Sequence, residues 1–358
     1  MRLVGSAAFK AVGTSDPRPA GSIPVHLRQF SLRRVARFFA ATSIAWFAGM
    51  PAGVAHADPA RPGNTESVVQ TVEPSTENVR VDIVGADAFV RVRAESGHEV
   101  EVLGYENEPF VRIAKDGTVT MDMNSLTART SSTRYGSTQA PKDATNASAP
   151  LWKVVGRDGS AMWHDHRVHW MSPVRPEPID DDGLVQSWTF TLKVDGVTTL
   201  ASGSLYLRDA PGSWWLLLVI PGLIVGFVVS RRGAQRELAG AGAAFVVIGA
   251  FMFWGVPTEA RGAPVMLALG AFTVIVSVAT AVFRHRTEIV DALVASAAIG
   301  LLVAVVVERD AVTSRFVPGL GDSVVLRMVV PAVAGLALGS GARALMRLLG
   351  KPQSNAPL

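Results

Sequence analysis

The chain has 358 residues, of which 49% are hydrophobic and only 18% charged. Soluble domains carry roughly 25% charged residues, so a wholly soluble protein is excluded. The net charge of +4 does not signal nucleic acid, because the arginines cluster beside apolar runs, where they report membrane topology. Cysteine is absent, which excludes disulfides and thiolate chemistry and leaves His, Met, Asp and Glu to ligate any metal.

Arg28, Arg33, Arg34 and Arg37 precede the apolar run Phe38–Ala52, and Ala55-His56-Ala57 precedes Asp58-Pro59. Charged, apolar and small residues in that order read as a secretory signal cleaved after Ala57. An uncleaved anchor helix is the competing reading; Pro51 and the A-x-A site favour cleavage. Residues 1–24 are long for a charged leader, which a true start at Val25 would explain. Arg37 stands where a twin-arginine signal needs apolar residues, so general secretion is expected.

Residues 58–212 read as an extracytoplasmic all-β domain. Val79–Ile83, Phe89–Arg93 and Glu99–Val102 alternate apolar and polar residues, as strands with one buried face do. Phe110–Ile113 and Thr118–Met123 flank the turn pair Asp116-Gly117, and Trp188–Val194 and Thr198–Leu207 flank Asp195-Gly196. With Ser67–Val72 this makes about eight short strands, the pattern of an immunoglobulin-like sandwich. A long loop, 124–185, separates the two hairpins and is expected to be largely without strands. Its first part, Thr127–Ala149, is rich in Ser, Thr and Ala. Asn146-Ala147-Ser148 matches a glycosylation acceptor, to which the bacterial style of the signal gives little weight.

Within this loop lies Met162-Trp163-His164-Asp165-His166-Arg167-Val168-His169-Trp170-Met171, which holds three of the seven histidines. Imidazole ligates Cu(II) or Zn(II) and thioether selects Cu(I), so His164, His166 and His169, helped by Met162 or Met171, form a candidate copper site. On a strand His164 and His166 share a face and His169 does not, so a turn is needed to bring all three together. Asp165 would then orient a histidine as a hydrogen-bond acceptor. The competing reading is structural, and histidines clustered in exposed loops more often serve it. In it Trp163 and Trp170 plug the end of the sandwich, Asp165 pairs with Arg167, and the histidines are hydrogen-bonded or face a partner.

Five apolar runs follow: Trp214–Ser230, Leu238–Val256, Val265–Phe283, Ile289–Val307 and Val324–Leu345, each long enough to cross roughly 30 Å of hydrocarbon. Basic residues follow the first (Arg231, Arg232, Arg236) and third (Arg284, Arg286) runs, and Arg343, Arg347 and Lys351 stand at the end of the chain. Those segments are expected on the cytoplasmic side, with the β-domain outside and residues 348–358 as a cytoplasmic tail. Asp291 and Arg327 lie inside the runs but near opposite ends, where each is expected to snorkel to water rather than pair with the other. Gly335-x-x-x-Gly339 and Ser296-x-x-x-Gly300 offer small faces for helix packing.

Leu103-Gly104-Tyr105-Glu106, Glu108-Pro109-Phe110-Val111-Arg112, Trp152, the segment Trp163–Met171 and the hairpin around Trp188 together resemble a group of uncharacterised actinobacterial membrane proteins. The sequence departs from that pattern at Asn124–Tyr135. The resemblance implies a signal peptide, this ectodomain and a helical C-terminus, and no activity. The expected function is a non-enzymatic, membrane-anchored envelope protein at the plasma membrane, whose β-domain binds a partner or ligand. A copper-handling protein is the alternative.

Overall fold

The structure, a computed structural model, describes residues 58–131, 149–172, 174–231 and 233–350. The expected signal, residues 1–57, the Asn146–Ser148 acceptor and residues 351–358 of the expected tail lie outside the described residues.

The β-domain comprises β1 (Thr65–Glu73), β2 (Val79–Val84), β3 (Phe89–Ala94), β4 (Val100–Leu103), β5 (Pro109–Ile113), β6 (Val119–Asp122), β7 (Trp152–Gly156), β8 (Ser160–Trp163), β9 (Leu184–Val194) and β10 (Val197–Leu207). A seven-stranded antiparallel sheet runs β1-β10-β9-β4-β5-β6-β7, and a three-stranded sheet runs β2-β3-β8. The alternation that marks these strands in the sequence turns one face of each sheet inward. Val81, Val90 and Val92 of the smaller sheet join Val102, Phe110 and Phe190 of the larger in one apolar cluster. Asp195 and Gly196 connect β9 to β10 in two residues, both at positive φ (49° and 82°), the conformation that matches strand twist.

The loop expected over 124–185 is not strandless. It carries a short helix, α1 (Leu126–Thr130), capped by the Ser125 hydroxyl at 3.0 Å from the Ala128 amide, and two strands, β7 and β8. Their concealment has a physical reason. β7 is a sheet edge whose residues are exposed or half-buried on both faces, so nothing selects alternation there. β8 does alternate, burying Ala161 and Trp163, but four residues are too few for the pattern to stand out.

The helical region begins with a 3-10 turn, Ser213–Leu218, that continues as α2 (Val219–Val229). It goes on through α3 (Gln235–Trp254), α4 (Val265–Val282), α5 (Thr287–Val307), the short α6 (Arg309–Thr313) and α7 (Val324–Leu349). A hairpin of β11 (Phe316–Val317) and β12 (Gly321–Asp322) precedes α7. Among the described residues four helices, α3, α4, α5 and α7, are long and apolar enough to cross a membrane. The first expected span is instead a shorter apolar helix, Ser213–Val229. The tighter 3-10 turn rises about 2.0 Å per residue against about 1.5 Å in the α-helix, so this segment still reaches roughly 28 Å.

Helix directions follow from close backbone approach. A Cβ at Gly335 would overlap the Val219 carbonyl and one at Gly339 the Leu223 carbonyl, while one at Gly222 or Gly226 would overlap Ala332 or Leu336. Numbers rise together on both helices, so α2 and α7 run parallel, seamed by two small-residue faces. Gly242 abuts Gly270 and Gly249 abuts Leu267, which makes α3 and α4 antiparallel. Asp291 meets Arg347, and Ala298 lies under Gly341, which makes α5 and α7 antiparallel.

Asp291 and Arg327 are both buried, contrary to the expectation that they reach water. They do not pair with each other. Asp291 pairs with Arg347 at 3.4 Å, and the same guanidinium holds the Ser230 carbonyl, tying α5, α7 and the end of α2. Arg327 donates to Asp322 at 2.6 Å and to the carbonyls of Ser314 (3.2 Å) and Arg315 (2.8 Å), fixing the hairpin before its own helix. A charge inside hydrocarbon is expensive alone, and neighbouring partners offset that expense better than a long reach to water.

The β-domain is seated on the helices by the strap Asp58–Asn64. The Ala60 amide donates to Ala260 at 3.1 Å, and Gly63 exchanges two backbone hydrogen bonds with Phe316, at 3.1 and 2.9 Å. The Arg315 amide donates to the Asn64 side chain at 2.7 Å. Val84, Ala88 and Phe89 of the β-domain form an apolar cluster with Val256 and Ala260 of the α3–α4 connection.

Candidate functional site

The histidine segment begins where β8 ends. Trp163, the last residue of that strand, packs edge-on against Phe110 (5.5 Å) and Phe190 (6.3 Å) between the sheets. The chain then turns, and the Val168 amide donates to the Asp165 carbonyl at 3.0 Å. The turn gathers side chains that a strand would have parted.

Asp165 is its electrostatic centre and is fully buried. Its carboxylate accepts from Arg167 Nε (2.8 Å), Arg167 Nη2 (2.7 Å), the Arg167 amide (3.0 Å) and the Trp163 indole (3.0 Å). Burial by itself would raise this carboxyl. The hydrogen bonds and charge of Arg167, with the indole, outweigh burial and hold it below the usual carboxylate value. Arg167 lies over the rings of Tyr105 (4.9 Å) and Phe190 (5.4 Å), so its cation is stacked as well as paired.

The three histidines lie side by side. His169 is the middle ring, 5.8 Å from His164 and 5.3 Å from His166, centre to centre and edge to face. His164 is fully buried and stacked on Phe89 at 4.2 Å. Its Nδ1 faces the Ala88 carbonyl and its Nε2 the Asp58 carbonyl, the latter at 2.8 Å. A neutral imidazole has one N–H to offer and the cation has two, so only the cation donates to both oxygens. His169, also fully buried, turns Nδ1 to the Trp170 carbonyl at 3.1 Å. Among the described residues no group of three or more His, Asp or Glu is arranged to hold a metal ion.

The remaining expected residues disperse. Met162 packs on the cluster of Val84, Ala88, Phe89, Val256 and Ala260, whose Phe89 also carries the His164 ring. Trp170 packs on Val185, Leu205 and Leu207, and its indole donates to Val174 at 2.6 Å. The two tryptophans therefore serve different clusters and do not form one plug. Met171 is half-buried.

Residues outside the segment complete the turn. The Tyr105 hydroxyl accepts the His166 amide at 2.9 Å and meets the Ser131 hydroxyl at 3.0 Å. Burial drives this phenol well above its usual value. Glu108 accepts from the Thr127 amide (3.1 Å), the Thr127 hydroxyl (2.7 Å) and the Glu106 amide (2.9 Å), so α1 is docked beside Tyr105. A Cβ at Gly104 would overlap both Glu108 and Thr127, so the loop needs glycine there. The compact run Gly104-Tyr105-Glu106 before Glu108-Pro109 is the sequence signal for this contact.

A cavity of about 460 Å³ lies against the turn. Phe110, Met121, Met123, Met162 and Trp163 give it an apolar wall, with Arg91, Arg157 and Asp158 as charged groups on its lining. Pro257, from the connection between α3 and α4, also lines it. No protein-family model, curated protein or solved structure matches this chain.

Proposed function

We propose that this chain is a non-enzymatic, membrane-anchored envelope protein whose β-domain binds an apolar segment of a partner beside the histidine turn. The 460 Å³ cavity carries the reading. Its three methionines adapt to varied apolar shapes, and its aromatic floor offers area without a reactive group. His164 turns both ring nitrogens to backbone carbonyls, which suits a strut rather than a general base. The two facing sheets support an immunoglobulin-like sandwich.

Sidedness belongs to the same proposal. Arg231, Arg284 and Arg286 follow the ends of α2 and α4 and Arg347 lies in the last turn of α7; the helix directions gather these ends at one side, and basic residues favour the cytoplasm. With Ser213–Val229 counted as a fifth crossing, the β-domain then lies outside the plasma membrane.

A photo-crosslinking residue in place of Met123, in the full chain within the native envelope, tests the partner. A discrete adduct is expected, and Ser160→Trp, which fills the cavity from β8, should abolish it without changing the melting temperature. An adduct that survives Ser160→Trp would place the partner elsewhere.

Copper handling is the second reading, favoured by the 5.3 Å approach of His166 to His169. It requires at least micromolar binding of Cu(I) or Cu(II) by the full chain in detergent, weakened by His166→Ala/His169→Ala. Affinity should also fall as pH drops through roughly 6.5, because imidazole must be neutral to ligate. Unchanged affinity in the double variant removes this reading.

A further inference from the structure

Two cavities meet where the β-domain sits on the helices. One, of about 530 Å³, is lined by Arg61, Arg175, Glu308, Asp310 and Trp170. The other, of about 430 Å³, is apolar and lies between helices, against Met252, Phe253, Val265 and Leu267. They share Arg61, Pro62, Val307 and Glu308 as a common wall. Val307 ends a stripe on α5 made of Ile299, Val303, Val306 and Val307, spaced at one helix face and 42–60% exposed. In a membrane-crossing helix that stripe faces hydrocarbon, so the shared wall stands at the level of the lipid headgroups.

We propose that this double cavity binds one membrane phospholipid bearing an amine. Arg61 and Arg175 would hold the phosphate, Glu308 with Asp310 the ammonium, and the apolar cavity an acyl chain. Neither guanidinium is engaged in an ion pair or hydrogen bond among the described residues, so both are available to an anion. Paired guanidiniums match phosphate geometry, and Trp170 at the rim suits the interfacial depth. On the wall shared with Arg61, burial and the charge of Asp310 raise the Glu308 carboxyl above its usual value. A cation placed there favours the ionised carboxylate and so opposes both effects. Asp310 has only an exposed contact with Arg309, at 3.6 Å, to compete for it. A free phosphate would use the arginines alone and leave the carboxylates and the apolar cavity without a role. The site adjoins the histidine segment only at Trp170, lies apart from the 460 Å³ cavity, and stands whether or not that cavity binds a partner.

Native mass spectrometry of the full chain in detergent tests this, with phosphatidylethanolamine, phosphatidylglycerol, glycerophosphoethanolamine and inorganic phosphate as probes. One phosphatidylethanolamine is expected to remain bound, with phosphatidylglycerol weaker. Arg61→Gln/Arg175→Gln should weaken both lipids by about tenfold or more, as loss of charge-assisted hydrogen bonds does. Glu308→Gln should weaken phosphatidylethanolamine alone. Met252→Trp, which fills the apolar cavity, should reduce lipid adducts. Displacement of the lipid by inorganic phosphate, or equal adducts in wild type and the arginine variant, would overturn the proposal. Arg93→Gln, on the β2–β3 sheet away from both cavities, serves as the control and should leave the adduct unchanged.

Discussion

The Asp165 carboxylate is shut away from solvent between the indole of Trp163 and the guanidinium of Arg167. Arg167→Ala would leave that buried charge without its cation, an error of about 3–5 kcal/mol in comparable pairs. Urea unfolding followed by tryptophan fluorescence should show the loss in the β-domain. Arg167→Ala combined with Asp165→Asn should lose less, because no bare charge remains; an equal loss would mean that the pair contributes mainly shape. Acid gives an independent check. The folded carboxyl titrates below its ordinary value of 3.8, so its stabilising effect is complete above that value and disappears as pH falls through the lower, folded value. Trp163 emission should therefore hold steady through the range in which exposed carboxylates titrate and change only below it. His164 is the other residue on which the turn depends. His164→Ala removes hydrogen bonds to Ala88 and Asp58 together with the stack on Phe89. Amide exchange at Gly63 and Phe316 should then accelerate as the strap loosens, and unaltered exchange there would deny His164 its part in seating the β-domain.

At the scale of elements, the seam between α2 and α7 depends on glycines placed where carbonyl oxygens already sit. Gly335→Val and Gly339→Val should each separate the two helices, lowering the detergent melting temperature more than Gly240→Ala, a site with open space around it. This seam also marks how far the sequence could be read. Gly335-x-x-x-Gly339 stands out in isolation, but its partner face, Gly222-x-x-x-Gly226, gains meaning only once α2 is known to run alongside α7. The three alternating segments, Val79–Ile83, Phe89–Arg93 and Glu99–Val102, all became strands because burial on one face writes a period of two into the chain, and the segments flanking Asp116-Gly117 and Asp195-Gly196 became hairpins. β7 escaped because an edge strand has no such face, and β8 because it is too short. In the candidate site the Asp165–Arg167 pair was legible, since two residues of spacing and opposite charge suffice. The role of Tyr105 was not: sixty residues separate it from His166, and only the folded sheets bring them together. The buried places of Asp291 and Arg327 were hidden for a similar reason, as their partners Arg347 and Asp322 belong to other helices or turns.

For the whole molecule, sidedness is open to a direct test because the chain contains no cysteine to remove. Lys153→Cys on β7 should react with a membrane-impermeant maleimide on intact cells, and His285→Cys between α4 and α5 only after the cells are opened. The reverse pattern would invert the orientation argued from the arginines. The strap Asp58–Asn64 has a further consequence. Its partners, Ala260, Arg315 and Phe316, are synthesised long after it, and α7, which closes the seam on α2, is made later still. Early and late parts of the chain thus complete each other's hydrogen bonds, and contacts of such long sequence separation form slowly. A growing polypeptide lacks the seat for its β-domain until residue 316 is made, and the partner for its first apolar helix until α7 leaves the ribosome. A nascent chain stalled before residue 324 would therefore present quality-control proteases with an open bundle.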